Sequence, residues 1–180
     1  RHEILLQIPM EPFDYPDNDP GPQTLLTSLV PEQNIDRLHW HLSRFQGYAG
    51  IANFMGARFT ATDTAMLPII REAAKRGLGY LDDGATQRTV APALAAAQSM
   101  PFAKADFTID AVPTSAEIDR TLVKLETLAK ERGLDVDLHV DQTEDLTSFT
   151  IPEIARARLR SGFQGRVVLG HCVNLSLMPP

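Results

Sequence analysis

Apolar and polar positions along the chain follow two rhythms: short apolar runs, and longer stretches with helical spacing. The runs predict strands at Ile4–Ile8, Tyr48–Phe54, Gly79–Asp82, Ala103–Ile109, Val136–Val140 and Val167–Gly170, set between Gly, Pro or Asp. The helical spacing predicts helices at Pro31–Phe45, Asp63–Arg76, Arg88–Ser99, Ser115–Arg132 and Pro152–Ser161. Thr62 is placed to cap the second helix and Gly77 to end it in the left-handed conformation. Thr114-Ser115-Ala116-Glu117 has the form of a capping box. Leu122, Leu125, Leu128 and Ala129 then make one apolar stripe, and Gly133 stops the helix. Thr150 before Ile151-Pro152-Glu153 opens the last helix, where proline is tolerated in the first turn.

Strand and helix alternate along the chain, which predicts an α/β fold with parallel strands. A complete eight-unit barrel needs about 250 residues. The 180 residues here hold a partial (β/α) barrel of about six strand–helix units, or an open sheet. Residues 9–30 interrupt the rhythm: Pro9, Pro12, Pro16, Pro20 and Pro22, with Asp14, Asp17, Asn18 and Asp19, predict a long irregular loop after the first strand. Such a loop is either part of an active site, as loops at strand C-termini often are, or a solvated excursion. The alanine-rich Ala91–Ala97 reads as a helix with a tight packing face.

Composition narrows the function classes. Hydrophobic residues at 43% and charged residues at 22% exclude wholesale disorder. A net charge of −6 and a pI near 5.3 argue against a phosphate-tracking nucleic-acid surface. No apolar run approaches the ~20 residues that cross a bilayer, so no membrane partner is expected. The single Cys172 excludes an internal disulfide framework and a thiolate zinc cluster, and it fits either redox compartment. The opening Arg1-His2-Glu3 shows no signal peptide, and both ends read as cuts through folded protein.

Candidate chemistry rests on few residues. His39-Trp40-His41 has the H-x-H spacing of a metal pair on a strand. It falls in a helical stretch, where residues two apart point about 200° apart, so the competing reading is two ordinary helical histidines. His139 ends a predicted strand beside Asp141, Gln142, Glu144 and Asp145. It reads either as a metal ligand or proton carrier, or as a loop histidine among solvated acids. His171 ends the next strand, which would set both imidazoles on one face. Asp82 and Asp83 read as base, ligand or turn cap. Phosphate loops and nucleophile elbows are absent from the sequence.

Residues 1–133 resemble the divergent polysaccharide deacetylases. The resemblance is carried by Glu3-Ile4-Leu5-Leu6-Gln7-Ile8-Pro9-Met10-Glu11-Pro12, Asn53-Phe54-Met55-Gly56-Ala57-Arg58-Phe59-Thr60 and Arg76-Gly77-Leu78-Gly79-Tyr80-Leu81-Asp82. Thr89-Val90-Ala91-Pro92, Pro101-Phe102-Ala103 and Ile109-Asp110 extend it. It implies a partial barrel acting on carbohydrate, with a divalent metal that polarises an acetamide carbonyl and activates water. The family often has histidine where this chain has Gln7 and Phe54, and it retains Asp82 as the strand-end acid, a catalytic residue by resemblance. A neutral amide and a phenyl ring do not replace two imidazoles, so the resemblance implies impaired hydrolysis.

Residues 134–180 are similar instead to cytosine-deaminase-like amidohydrolases, through Asp137-Leu138-His139-Val140-Asp141-Gln142-Thr143 and Gly165-Arg166-Val167-Val168-Leu169-Gly170-His171-Cys172. This resemblance implies that His139 is a ligand of zinc or iron. It also implies that His171 orients a metal-bound hydroxide, and that Gln142 holds the place of a proton-shuttling Glu. Together the two resemblances imply a junction of unrelated segments within Leu128–Leu134. The expected functions are an impaired deacetylase-like fragment, a C–N-hydrolysing amidohydrolase, or a non-catalytic carbohydrate-binding domain. The expected partner is a carbohydrate or small-molecule substrate; the deacetylase-like parent would be periplasmic and the amidohydrolase-like parent cytoplasmic. The tail strands are expected to dock beside the first sheet, weakly packed and with an exposed edge.

Overall fold

The computed structural model of the chain describes residues 4–44, 46–112, 114–140 and 150–171, the last of these through its backbone. The chain divides into two compact units, residues 1–106 and 107–180. The first contains β1 (Leu5–Met10), α1 (Pro31–Leu42), β2 (Gly50–Met55), α2 (Asp63–Lys75), β3 (Gly79–Asp82), α3 (Ala91–Ala97) and β4 (Phe102–Lys104). Its strands form one sheet in the order β1-β2-β3-β4, all parallel. The second contains α4 (Ser115–Arg132), β5 (Val136–Val140), α5 (Ile151–Ser161) and β6 (Val167–His171), with β5 and β6 in a parallel two-stranded sheet. The expected α/β class with parallel strands is what forms.

Period-two burial explains the first sheet. Leu6, Ile8 and Met10 are buried, while Leu5 is 37% exposed. Register sets Ile51 beside Leu6, Asn53 beside Ile8, and Tyr80 beside Ile51, so these residues share the buried face. Helix α2 presents Met66, Ile69, Ile70 and Ala73 at helical spacing, and α1 adds Leu38 and Leu42 to the same core. Each such Leu, Ile or Met side chain contributes about 1.5–3 kcal/mol by leaving water. Close strand contact depends on Gly50, where a Cβ would lie 2.6 Å from the Gly79 carbonyl oxygen.

Two helix ends follow the sequence: Gly77 and Gly133 adopt φ of 72° and 64°. The capping expectations do not hold. Thr62 stands at the N-cap, but its hydroxyl donates to the Arg58 carbonyl at 2.8 Å instead. Thr114 makes no side-chain cap, and the Glu117 carboxylate is taken by Arg120 at 2.5 Å rather than reaching back. Thr150 likewise makes no side-chain cap bond.

The last strand of the first sheet is shorter than expected. β4 stops at Lys104, before Asp106 and Asp110, residue types that fit poorly in strands. β5 and β6 pair with each other. The second core joins Leu122 and Ala129 of α4 to Val136, Leu138, Ile154, Ala157 and Phe163. Helix α4 thus packs with the strands after Gly133. The members of this core keep slightly more exposure than those of the first: Leu122 retains 3%, whereas Ile8, Leu38, Phe59 and Met66 retain none.

Candidate functional site

The C-terminal ends of β2 and β3 meet in a polar cluster inside an otherwise apolar layer. Asn53 is fully buried. Its Oδ1 accepts from the Tyr80 hydroxyl at 3.1 Å and from the Asp83 backbone N–H at 3.2 Å. Its Nδ2 donates to the Met55 carbonyl at 2.7 Å and to Asp83 Oδ1 at 2.5 Å. All of its hydrogen-bonding capacity is thus used in tying two strand ends together. The turn it braces includes Met55 at φ 56° and Gly56 at φ 88°, where a Cβ on Gly56 would lie 2.7 Å from Met10 Cβ. Burial pushes the Tyr80 hydroxyl well above its ordinary range, with Asp82 and Asp83 adding to the effect.

Asp82 occupies the strand end expected of it, 1% exposed. Its Oδ1 accepts the Gly84 N–H at 2.8 Å, which is the turn-capping role, and its buried Oδ2 has no hydrogen-bond partner. Register and alternation group Asp82 with Tyr80 on the helix-covered face. Gln7 and Phe54 belong to the opposite face: Gln7 pairs with Ala52 and Phe54 with Pro9, and both side chains are half-buried.

The long loop after β1 is anchored, not a free excursion. Met10 bridges to Leu25, and both are fully buried. The Glu11 carboxylate accepts from the Thr27 N–H at 2.5 Å, the Thr27 hydroxyl at 2.7 Å and Arg58 at 3.2 Å. Arg58 also donates to the Phe13 carbonyl at 2.5 Å. From α1, Asn34 bonds both N–H and C=O of Leu26, Arg37 donates to the Thr24 carbonyl, and His41 Nε2 donates to the Gln23 carbonyl at 3.1 Å. Three side chains on one helical face thus hold the loop by its backbone.

This arrangement resolves the H-x-H question for the described residues. His41 belongs to the loop anchor, while His39 on the same helix lies 2.8 Å from Glu72 of α2. Glu72 also accepts from Arg76 at 2.7 Å, and these two partners hold its carboxyl below the usual range. Desolvation lowers the His41 pKa, and nearby Arg44 adds to this against the raising effect of the Gln23 bond. The unfolded chain therefore takes up this proton first as pH falls, and stability is lost from about pH 6.5 downward until the folded histidine also charges. His41→Gln is expected to flatten the stability–pH curve between about pH 7 and 5. Denaturant titrations across that range check it, and an unchanged slope contradicts the assignment.

In the second unit, register pairs His139 with Gly170 and Val140 with His171. The two histidine positions are out of step by one residue in the backbone register, not the paired register that the expectation of one shared face requires. His139 is exposed, and its ring carbons lie 3.6 Å from where a Cβ on Gly170 would stand. Gln142 lies outside the described residues. Among the described residues no three His, Cys, Asp or Glu side chains gather as a metal site, and no helix is long and apolar enough to cross a membrane. Sequence reasoning passed over the roles of Asn53, Tyr80 and Glu11. An asparagine within the apolar run Gly50–Met55 was the available signal.

The first unit thus defines a parallel α/β sheet with polar residues at its strand C-termini. The chain belongs to the divergent polysaccharide deacetylase family, whose model matches residues 1–143. It is similar to a crystal structure of an uncharacterized protein from Agrobacterium tumefaciens C58, at 38% identity and a TM-score of 0.77. That likeness covers 98% of this chain and 69% of the other, and is consistent with a partial barrel. The chain is also similar to a pterin deaminase of Rhizobium rhizogenes (strain K84), 52% identical over 60 residues. That match covers 33% of this chain and spans only 14% of the relative.

Proposed function

We propose that this chain is a carbohydrate-directed member of the deacetylase family whose hydrolytic step is impaired. The observation that carries this reading is the pair Gln7, in the middle of β1, and Phe54, near the C-terminal end of β2, which share the sheet face opposite Asp82. A divalent metal, zinc or iron, is what the family implies. The donor set does not suit one: a carboxamide is a weak ligand, a phenyl ring is none, both lie on the sheet face opposite Asp82, and the unpartnered Asp82 Oδ2 is a single donor. What this sheet face offers a sugar is an aromatic ring at Phe54 and an amide at Gln7, a combination suited to binding without turnover.

A second reading is supported by the partial pterin deaminase match: an amidohydrolase-like tail, with His139 as metal ligand and His171 and Gln142 as its catalytic groups. It goes with a junction near Gly133 between two ancestries. A metal count on the purified chain after zinc or iron loading, together with acetate release from N-acetylated chitooligosaccharides, tests the proposal. The expected outcome is oligosaccharide binding with less than one metal per chain and acetate no higher than the blank. Stoichiometric metal with acetate release overturns it. Stoichiometric metal lost in His139→Ala, with ammonia released from a pterin, establishes the second reading in its place.

A further inference from the structure

Two buried side-chain oxygens among the described residues lack a hydrogen-bond partner: Asp82 Oδ2, at the sheet edge, and Glu126 Oε2. Glu126 sits in the middle of α4, is 7% exposed, and lines an open groove of about 790 Å³ between α4 and α5. A carboxylate oxygen removed from water without a donor is a standing cost, and a cation brought to it recovers a charge-assisted hydrogen bond.

The rest of the groove defines what could bring that cation. Val123 of α4, 55% exposed, and Phe163 and Ala157, both buried, give it apolar walls. Asp119 and Arg160 bridge the two helices at 3.1 Å, so that carboxylate is already spoken for. Lys130, one turn beyond Glu126, lines the same groove and makes no ion pair among the described residues. Glu131 also lines the groove, but it is exposed and five residues from Glu126 on the same helix, so the two carboxylates lie on different helical faces and leave a hard metal ion short of oxygen donors. The volume lies in the range of small-molecule sites.

We propose that the α4–α5 groove binds a primary ammonium carried on an apolar body, with the nitrogen on Glu126 and the body against Val123, Ala157 and Phe163. The site uses none of the sheet-edge residues and stands independently of the deacetylase reading.

The test is a titration of the full chain with n-hexylammonium chloride followed by backbone amide NMR, with n-hexanol as the neutral counterpart. Saturable shifts at the amides of Glu126, Ala157 and Phe163 are expected, with hexanol about tenfold weaker or worse. Glu126→Gln is expected to bind both compounds alike. Val123→Lys, at an exposed position, sets a resident ammonium over the carboxylate and is expected to abolish binding; it carries the test should Glu126→Gln fail to fold. Equal binding of hexanol, undiminished preference in Glu126→Gln, retained binding in Val123→Lys, or no saturable shift overturns the proposal. So does binding that appears only in Lys130→Met, since the native chain would then supply its own ammonium.

Discussion

Asn53→Leu is expected to destabilise the first unit by about 3 kcal/mol or more. Leucine has as many side-chain heavy atoms as asparagine, though it is bulkier, and it removes the acceptor for the Tyr80 hydroxyl and the Asp83 N–H, and the donor to Met55 and Asp83. Each buried donor left unsatisfied costs about 1–3 kcal/mol, and a connected network loses more than one bond's worth. The Tyr80 hydroxyl is the worse casualty, because it is enclosed beside the core and cannot turn to water. Asn53→Asp separates the causes. It keeps both acceptor bonds but sets a carboxylate against Asp83 Oδ1, so its deficit should shrink as pH falls and one carboxyl protonates. Urea denaturation of the three proteins at two pH values measures this. A leucine variant within about 1 kcal/mol of the parent would remove Asn53 as the tie between the strand ends.

Phe59→Ala is expected to cost about 3–5 kcal/mol, the usual range for a fully buried aromatic. Phe59 retains no exposure and belongs to the main core. Its own N–H also donates to the Glu11 carbonyl at 3.1 Å, so the cavity would open directly beneath the anchor of the long loop. Phe59→Leu refills much of the volume and should lose about 1.5 kcal/mol or less. The denaturation midpoint reads the cost. Protease cutting within residues 11–27 reads the loop, and should accelerate in the alanine variant before global unfolding is reached. An alanine variant with parental midpoint would mean that the ring is replaceable by repacking.

The elements of this fold were largely legible in the sequence, and the site was legible only at its acid. β3, α4 and β5 form over the residues their patterns predict, because each pattern is a local match between side-chain period and backbone period. Asp82 at the end of β3 was equally local, a carboxylate closing an apolar run. The partners of these residues were another matter. Asn53 meets Asp83 across 30 positions, Glu11 meets Thr27 across 16, and His39 meets Glu72 across 33. Periodicity carries no information about such pairs. It likewise could not show that Thr62 and Glu117 have better partners than the helix ends they were expected to cap.

The sequence by itself determined the alternation of strands and helices, the apolar faces and the glycine stops. Tertiary structure decided the rest. It paired β5 with β6, gave α4 to the tail's core, and anchored the proline-rich loop. It also set His139 and His171 one residue out of step. The reason is physical: propensity and amphipathicity act within a few residues, whereas register and hydrogen-bond partners are chosen by competition among distant segments for the same buried space.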